Sequence, residues 1–522
     1  MTGTAPDGTF YLGPGVRLCP GKEESGLLIQ PDPLRAIRVN PSARRLLERC
    51  RTGVPASAIA GNPDVLAFFD SLCQARLLDW RPRTRSEGGE TPFVSIIVPV
   101  YNRADDIGEC LSSLLGLDYP DTRREIIVAD DGSTDETAER VRDYPVRLLR
   151  LRRNGGQSKA RNRAVEIAEG DIIGFIDSDC IADPRWLTEL TPYFQDARVA
   201  LIGGYVDAYY HRTRLDRFES AGSPLNMGDE TLIGAGDKSV LYVPTCNMLV
   251  RRSAYQAVGG LDAALRVGED VDLCWRMLGA GHRLMYVPKG RVAHKHRNRF
   301  WPGFLRRFDY GVSEPALYAV HARAAKRFPW QTGGLLFLTL TGSGFIFAPS
   351  VFFSAAGAVL LIEAALRKRG MERACGAAVP VRYREFLRAA LRSHLMLAFY
   401  LSHHLNRYYL LPLLLLSILR PRFAPFLAGL ILFPTLVSFL RKRPRTDPVS
   451  YGFFFIMEQL FYGAGVLWGS IRHRHLKCYG IAFANAGFLK RSPAQAMCRL
   501  KFRLGSWMER PKWIPFRSNS KT

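Results

Sequence analysis

The stretch that most limits what this chain can fold into is Asp171-Ile172-Ile173-Gly174-Phe175-Ile176-Asp177-Ser178-Asp179, an apolar run that ends in two carboxylates one residue apart. A run that is apolar without alternation reads as a strand covered on both faces, as in a parallel sheet. Strand periodicity sends Asp177 and Asp179 to one side and Ser178 to the other. Two carboxylates at the C-terminal end of such a strand suit a hard divalent cation, Mg²⁺ or Mn²⁺, which takes oxygen ligands and is commonly completed by substrate phosphates. A bare Asp-x-Asp is more often a solvated loop, so the surrounding sequence has to decide.

That context is a region of alternating strands and amphipathic helices, residues 93–330. Strands are predicted at Phe93 to Val100, Glu125 to Ala129, Val146 to Leu151 and Ile172 to Ile176. Such alternation implies an α/β fold with a mainly parallel, doubly wound sheet, whose ligands sit outside the carboxyl ends of the strands. The polar residues collect at those ends. The first strand runs into Pro99-Val100-Tyr101-Asn102 and the second into Asp130-Asp131-Gly132-Ser133. After the third comes Asn154-Gly155-Gly156-Gln157-Ser158-Lys159-Ala160-Arg161-Asn162, a glycine turn opening a basic helix. Carboxylates can accept base or ribose hydrogens, while backbone amides and Lys159 or Arg161 can face phosphate. Each of these alone is an ordinary turn or cap; together on one edge they describe a nucleotide site. Neither G-x-G-x-x-G nor G-x-x-x-x-G-K-[ST] occurs there, which argues against a dinucleotide or P-loop site and for a nucleotide-linked substrate.

A second constellation lies at Gly259-Gly260-Leu261-Asp262 and Gly268-Glu269-Asp270-Val271-Asp272-Leu273-Cys274-Trp275-Arg276. Leu273, Met277 and Leu278 mark a helix face, so Glu269 and Asp270 fall at a helix N-terminus, where the dipole favours ionised acids. They serve equally as capping acids or as a base that takes a proton from an acceptor hydroxyl. Trp275 and Arg276, next along, are the candidate acceptor contacts. Val292-Ala293-His294-Lys295-His296 follows another strand, and one of its imidazoles, His294 as the candidate, can complete a metal shell, although a surface histidine is the commoner outcome.

Two flanking regions differ in composition. Residues 1–85 show short strands around Pro31-Asp32-Pro33 and two helix starts, Asn40-Pro41 and Asn62-Pro63, each a cap followed by proline at the first helical position. This suits a winged-helix-like module. Its 12 basic and 10 acidic residues through Glu90 give no electrostatic footprint for phosphate, so a peptide or partner, or a purely structural cap, is expected rather than nucleic acid. Residues 86–92 are a polar linker. From residue 331 onward there are 27 Lys and Arg against 6 Asp and Glu, whereas the preceding 330 residues hold 45 and 42. This basic tail, 331–522, also carries the long apolar runs, Gly333 to Leu366, Tyr408 to Leu419, Phe423 to Leu440 and Phe453 to Trp468. The first fits a kinked span or a tight hairpin. Arg367-Lys368-Arg369 and Arg441-Lys442-Arg443-Pro444-Arg445 beside such runs predict a helical region on the cytoplasmic face of a membrane. The ten scattered cysteines have no metal-like spacing and read as reduced thiols. No signal peptide is evident at the N-terminus.

The ordered set V-P-V-Y-N, D-D-G-S, the glycine turn with Ala160-Arg161-Asn162, D-S-D, G-G-L-D and E-D-V-D-L-C-W-R resembles the family 2 glycosyltransferases of the GT-A (Rossmann-like) fold. The resemblance implies that Asp131 and Tyr101 help hold a nucleotide, with Pro99, Asn102, Gly156 and Arg161 around it. It further implies that Asp177 and Asp179 handle ribose and the metal–diphosphate, and that Asp270 is the general base of an inverting transfer from a UDP-sugar. The Q-x-x-R-W motif of processive synthases is missing. Phe304-Leu305-Arg306-Arg307-Phe308-Asp309-Tyr310-Gly311-Val312-Ser313-Glu314-Pro315 with His321, Asp32-Pro33-Leu34-Arg35, Asn40-Pro41-Ser42-Ala43 and Phe461-Tyr462-Gly463-Ala464-Gly465-Val466 are similar to the mycofactocin system glycosyltransferases. That resemblance implies β-linked glucose as the transferred unit and a peptide-derived redox cofactor as acceptor, with a PqqD-like N-terminal wing. A lipid-linked or envelope glycan acceptor also suits the tail. A silent peptide-binding scaffold would tolerate loss of the acids that are all present here.

Overall fold

The computed structural model describes residues 8–21, 24–31, 34–83, 91–236, 239–321, 327–344, 347, 349–375 and 381–485. Among them two compact units form, one from Pro82–Phe328 with Leu395–Phe483, the other from Thr9–Arg81 with Pro329–His394. The division falls inside the helix Tyr383–Leu419, so the helical region expected as one block from 331 is shared between the units. Most of the expected linker, and Asp32 and Pro33 of the predicted turn, lie outside the described residues.

The first unit is built on an eight-stranded sheet. Its strands are β1 (Val94–Val100), β2 (Arg124–Asp130), β3 (Arg147–Arg150), β4 (Ile172–Phe175), β5 (Val199–Gly203), β6 (Leu232–Gly234), β7 (Met248–Arg251) and β8 (Arg283–Tyr286). They lie in the order β6-β8-β5-β7-β4-β1-β2-β3. β4, β1, β2 and β3 are parallel, as are β5 and β8. β7 runs against both β4 and β5, and β6 against β8, so the sheet is mainly parallel with two reversed strands. Every residue of β1 is buried, which is why its sequence carries no alternation. Helix α1 (Gln157–Ile167) brings Ala160, Ala164 and Val165 onto Ile97, Ile127 and Ile173, and α2 (Glu269–Gly279) brings Leu273 and Met277 to the same core. Each such aliphatic side chain contributes about 1.5–3 kcal/mol when fully buried.

The pleat does not orient the Asp-Ser-Asp acids as expected. β4 ends at Phe175, and Asp177 to Asp179 form the turn into a short strand, Cys180–Ala182. Beyond the last ladder pair strand periodicity no longer fixes side-chain direction, and all three residues reach the same cavity. The short strand belongs to a second sheet with Val292–His294 and Val206–Ala208.

Long helices complete this unit, and two of them pack on each other. α3 (Phe300–Val320) packs along α4 (Pro448–His473). Glycines allow the approach: a Cβ at Gly465 would overlap the Phe308 carbonyl oxygen, one at Gly469 that of Val312, and one at Gly311 that of Tyr462. Phe304 of α3 and Tyr451 and Phe455 of α4 are buried with Leu215 and Phe218. Tyr408 and Tyr462 both donate to the Glu314 carboxylate, each at 2.6 Å, so this buried acid is fully partnered.

Among the described residues three helical segments are long and apolar enough to cross a membrane: Pro349–Arg373, Pro421–Lys442 and Pro448–His473. In the second unit, the run expected as a kinked span or a hairpin is two helices, Thr332–Gly344 and Pro349–Cys375, packed against each other. The N-terminal part of that unit has two three-stranded sheets and two helices. The Asn40 side chain accepts from Ala43 N at 2.7 Å, and Asn62 from Asp64 N and Val65 N, so both asparagine–proline starts are true helix caps.

Candidate active site

A cavity of about 690 Å³ opens over the carboxyl ends of β1, β2 and β4. Pro99, Tyr101, Asp131, Gly156, Asp177 and Asp179 line it. The other wall comes from Leu265 to Val267, from Arg306, Asp309 and Ser313 of α3, and from Arg472 and His473 at the end of α4.

Asp131 is 3% exposed. Its two carboxylate oxygens accept from Gly155 N at 2.8 Å and Gly156 N at 2.7 Å, so it pins the glycine turn that starts α1. Gly156 has φ +93°, a conformation that only glycine adopts readily. Asn102, expected at the nucleotide, instead ties the loop after β1 to the turn after β2. Its side-chain oxygen accepts from Thr134 N at 2.9 Å, and its own N–H donates to Ser133 Oγ at 3.0 Å. It is not a cavity wall because its amide is engaged there.

Arg161 lies beneath the cavity floor rather than in the cavity. It is completely buried, donates to Asp177 Oδ1, and reaches Glu269 Oε1 at 3.4 Å. Burial opposes its charge, but Asp177 and Glu269 outweigh this and hold its pKa above the ordinary value. Gln157 Nε2 also donates to Glu269 Oε1, at 2.6 Å. Glu269 is therefore committed to α1, and Asp270 beside it is not among the residues that line the cavity. Asp270 is part-buried and within electrostatic reach of Arg161 and Asp177; burial raises its pKa, and Asp177 adds to the rise against the opposing pull of Arg161 and the Val271 N–H. Burial, with repulsion from Asp270, pushes Glu269 up to about 7.

A carboxyl whose folded pKa is raised favours folding below its unfolded value, near 4.5, and that advantage is lost as pH rises through the folded value. The wild-type chain is therefore expected to lose stability relative to Glu269→Gln between about pH 4.5 and pH 7, by about 3 kcal/mol. Denaturant unfolding of both proteins across that window checks it; parallel curves would show that Glu269 does not titrate there.

Asp179 lies with His294 and Arg103. His294 Nε2 is 3.6 Å from Asp179 Oδ1, and Arg103 Nη2 is 3.8 Å from Oδ2. The second sheet brings them together, because Cys180 pairs with His294 in its register. Burial raises the Asp179 pKa, His294 and Arg103 oppose the shift, and Asp177 reinforces it. Ligand atoms of Asp179, Cys180 and His294 all fall within 4.8 Å of one another. The buried Cys180 thiol is held well above its ordinary pKa, first by burial, so Asp179 and His294 are the donors suited to a hard cation. His294 Nδ1 is buried and without a hydrogen-bond partner. His296 turns away, its Nε2 3.5 Å from Asp216 Oδ1.

Trp275 and Arg276 do not reach the cavity. Arg276 pairs with Asp272 at 2.6 Å and donates to the carbonyls of Val258 and Gly260. Trp275 packs on Tyr318 and His321 and donates to Val240 O at 3.3 Å. Both are consumed in fixing α2 to its neighbours. The residues that sequence reasoning left without a role are Arg103, Arg306, Asp309, Ser313, Arg472 and His473.

Residues 95–259 match the family model described as glycosyl transferase family 2. This region is a family 2 glycosyltransferase domain. Its sheet and acid-bearing edge are the GT-A architecture. The family 2 domain match stops before Asp270 and His294, but a longer similarity runs through both. The chain is 29% identical over 466 residues to the pre-mycofactocin glycosyltransferase of Mycobacterium tuberculosis, covering 87% of this chain and 93% of that protein. It is 32% identical over 203 residues to the glycosyltransferase AglE of Haloferax volcanii, covering 38% and 64%. Among solved structures, a mannosyltransferase of Pyrobaculum calidifontis in complex with GDP-Man and Mn²⁺ aligns with TM-score 0.38 at 20% identity, covering 64% of this chain and 94% of that one.

Proposed function

We propose that this family 2 glycosyltransferase is a membrane-bound, metal-dependent inverting enzyme that moves glucose from UDP-glucose to a hydroxyl of the peptide-derived redox cofactor mycofactocin or its precursor. The observation that carries the reading is one cavity edge bearing Asp131, Asp177 and Asp179, with Asp270 within electrostatic reach of Asp177. The near full-length similarity to a pre-mycofactocin glycosyltransferase supports the acceptor.

In this reading Tyr101 and the Asp131-pinned glycine turn receive the nucleoside. Asp179 and His294, with the free oxygen of Asp177, would hold Mg²⁺ or Mn²⁺, which supplies charge to ease departure of the diphosphate. Asp270 takes the acceptor proton as the acceptor oxygen bonds to the anomeric carbon and the carbon–diphosphate bond breaks. One displacement inverts that centre and turns an α-linked donor into a β-linked product. The N-terminal module would receive the peptide-derived partner. The basic ends of the candidate spans favour a cytoplasmic active site.

Detergent-solubilised full chain is expected to consume UDP-glucose with a mycofactocin precursor and Mg²⁺ or Mn²⁺, and to leave polyprenyl phosphate unglycosylated. Mass spectrometry of both acceptors decides it. Transfer to the lipid alone would replace the acceptor assignment with a lipid-linked glycan.

A further inference from the structure

Cations line the cavity as well as acids. Arg306 of α3 and Arg472 of α4 line it with Arg297, and among the described residues none of the three has a carboxylate within ion-pair distance. Arg472 is exposed, so packing does not explain its place at the rim. Arg306 lies over the Tyr310 ring, 5.0 Å from its centroid. Burial lowers the Arg297 pKa, and the charges of Arg306 and Arg103 lower it further against the opposing pull of Tyr310 and Asp309, so these cations lie within electrostatic reach of one another. Like charges gathered beside a cavity are stabilised by a multivalent anion.

A basic residue after a membrane span is ordinarily a flank that fixes orientation, and Arg474 next to it fits that role. Arg472 differs because it lines the same cavity as Arg306, which comes from another helix. A diphosphate laid against Asp177 and Asp179 has one side toward acids and any bound cation. Its other side needs positive charge, and forked guanidinium donors suit phosphate oxygens.

We propose that Arg306 and Arg472 form a phosphate subsite of the cavity, so that the last turn of a candidate membrane helix is part of the active site. This rests on the glycosyltransferase reading above. The phosphate can come from the donor diphosphate or from a phosphate-bearing acceptor, and we assign it to the donor.

The test is titration of UDP, uridine and a short-chain polyprenyl phosphate into the full chain in detergent, for wild type, Arg472→Ala and Arg472→Lys. Arg472→Ala is expected to weaken UDP about 10-fold or more, to leave uridine unchanged and to leave the melting temperature unchanged. Lysine is expected to restore part of the loss. Unchanged UDP affinity, or equal losses for UDP and uridine, would overturn the subsite. Loss of polyprenyl phosphate binding with UDP unaffected would overturn the donor assignment and move the subsite to an acceptor. Failure of wild type to bind UDP at all would instead count against the proposed function, which keeps the two failures distinct. Arg306→Gln, measured in the same way, gives a second position should Arg472→Ala not fold.

Discussion

Changing Asp270 to Asn is expected to lower turnover about 10²–10⁴-fold, the usual contribution of a positioned general base, while UDP affinity stays as it is. Asparagine keeps the shape and can still accept from the Val271 N–H, but it cannot take a proton from the acceptor. The wild-type pH profile should carry the same signature. The base works only when ionised, and burial raises its pKa, so activity should fall on acidification at a pH above the ordinary aspartate range. Glu269, held up to about 7 beside it, titrates with Asp270 as a pair, so the acid limb belongs to both. Pre-steady-state turnover with saturating donor separates the chemical step from binding. An Asp270→Asn enzyme that retained its rate would remove the base from this position.

Replacing Asp179 with Ala is expected to cost about 10³-fold in turnover, equivalent to about 4 kcal/mol in the barrier. Mn²⁺ binding, followed by electron paramagnetic resonance, should disappear in parallel. Asp179 Oδ1 is 3.6 Å from His294 Nε2, and Asp177 has one oxygen engaged by Arg161, so its remaining oxygen replaces Asp179 only in part. A variant that still bound Mn²⁺ tightly would place the cation elsewhere. His294→Ala should show the same pattern at smaller amplitude, because it leaves the carboxylate in place.

The strands were legible because their apolar runs are uninterrupted, and burial of all of β1 is the structural counterpart of that pattern. The caps at Asn40 and Asn62 were legible because a cap is a local event, set within four residues. The orientation of Asp177 and Asp179 was not, because the ladder ends at Phe175 and partners far along the chain take over: Arg161 for one acid, His294 and Arg103 for the other. Trp275 and Arg276 follow Asp270 closely in sequence, yet at about 100° per residue five positions turn a side chain to another helix face. Arg472 could not be placed from sequence, since a cation after an apolar run is equally an orientation signal. Only the crossing of α3 and α4 brings it to the cavity.

That crossing bears on how this enzyme can be handled. A fragment ended at Phe328 would retain every strand of the main sheet, yet it would strip Tyr451 and Phe455 from Leu215, Phe218 and Phe304, baring a greasy face on the catalytic body. The same cut would remove Arg472 and His473 from the cavity lining. The full chain is therefore the form to assay, because its C-terminal helix both covers that apolar face and contributes to the cavity lining.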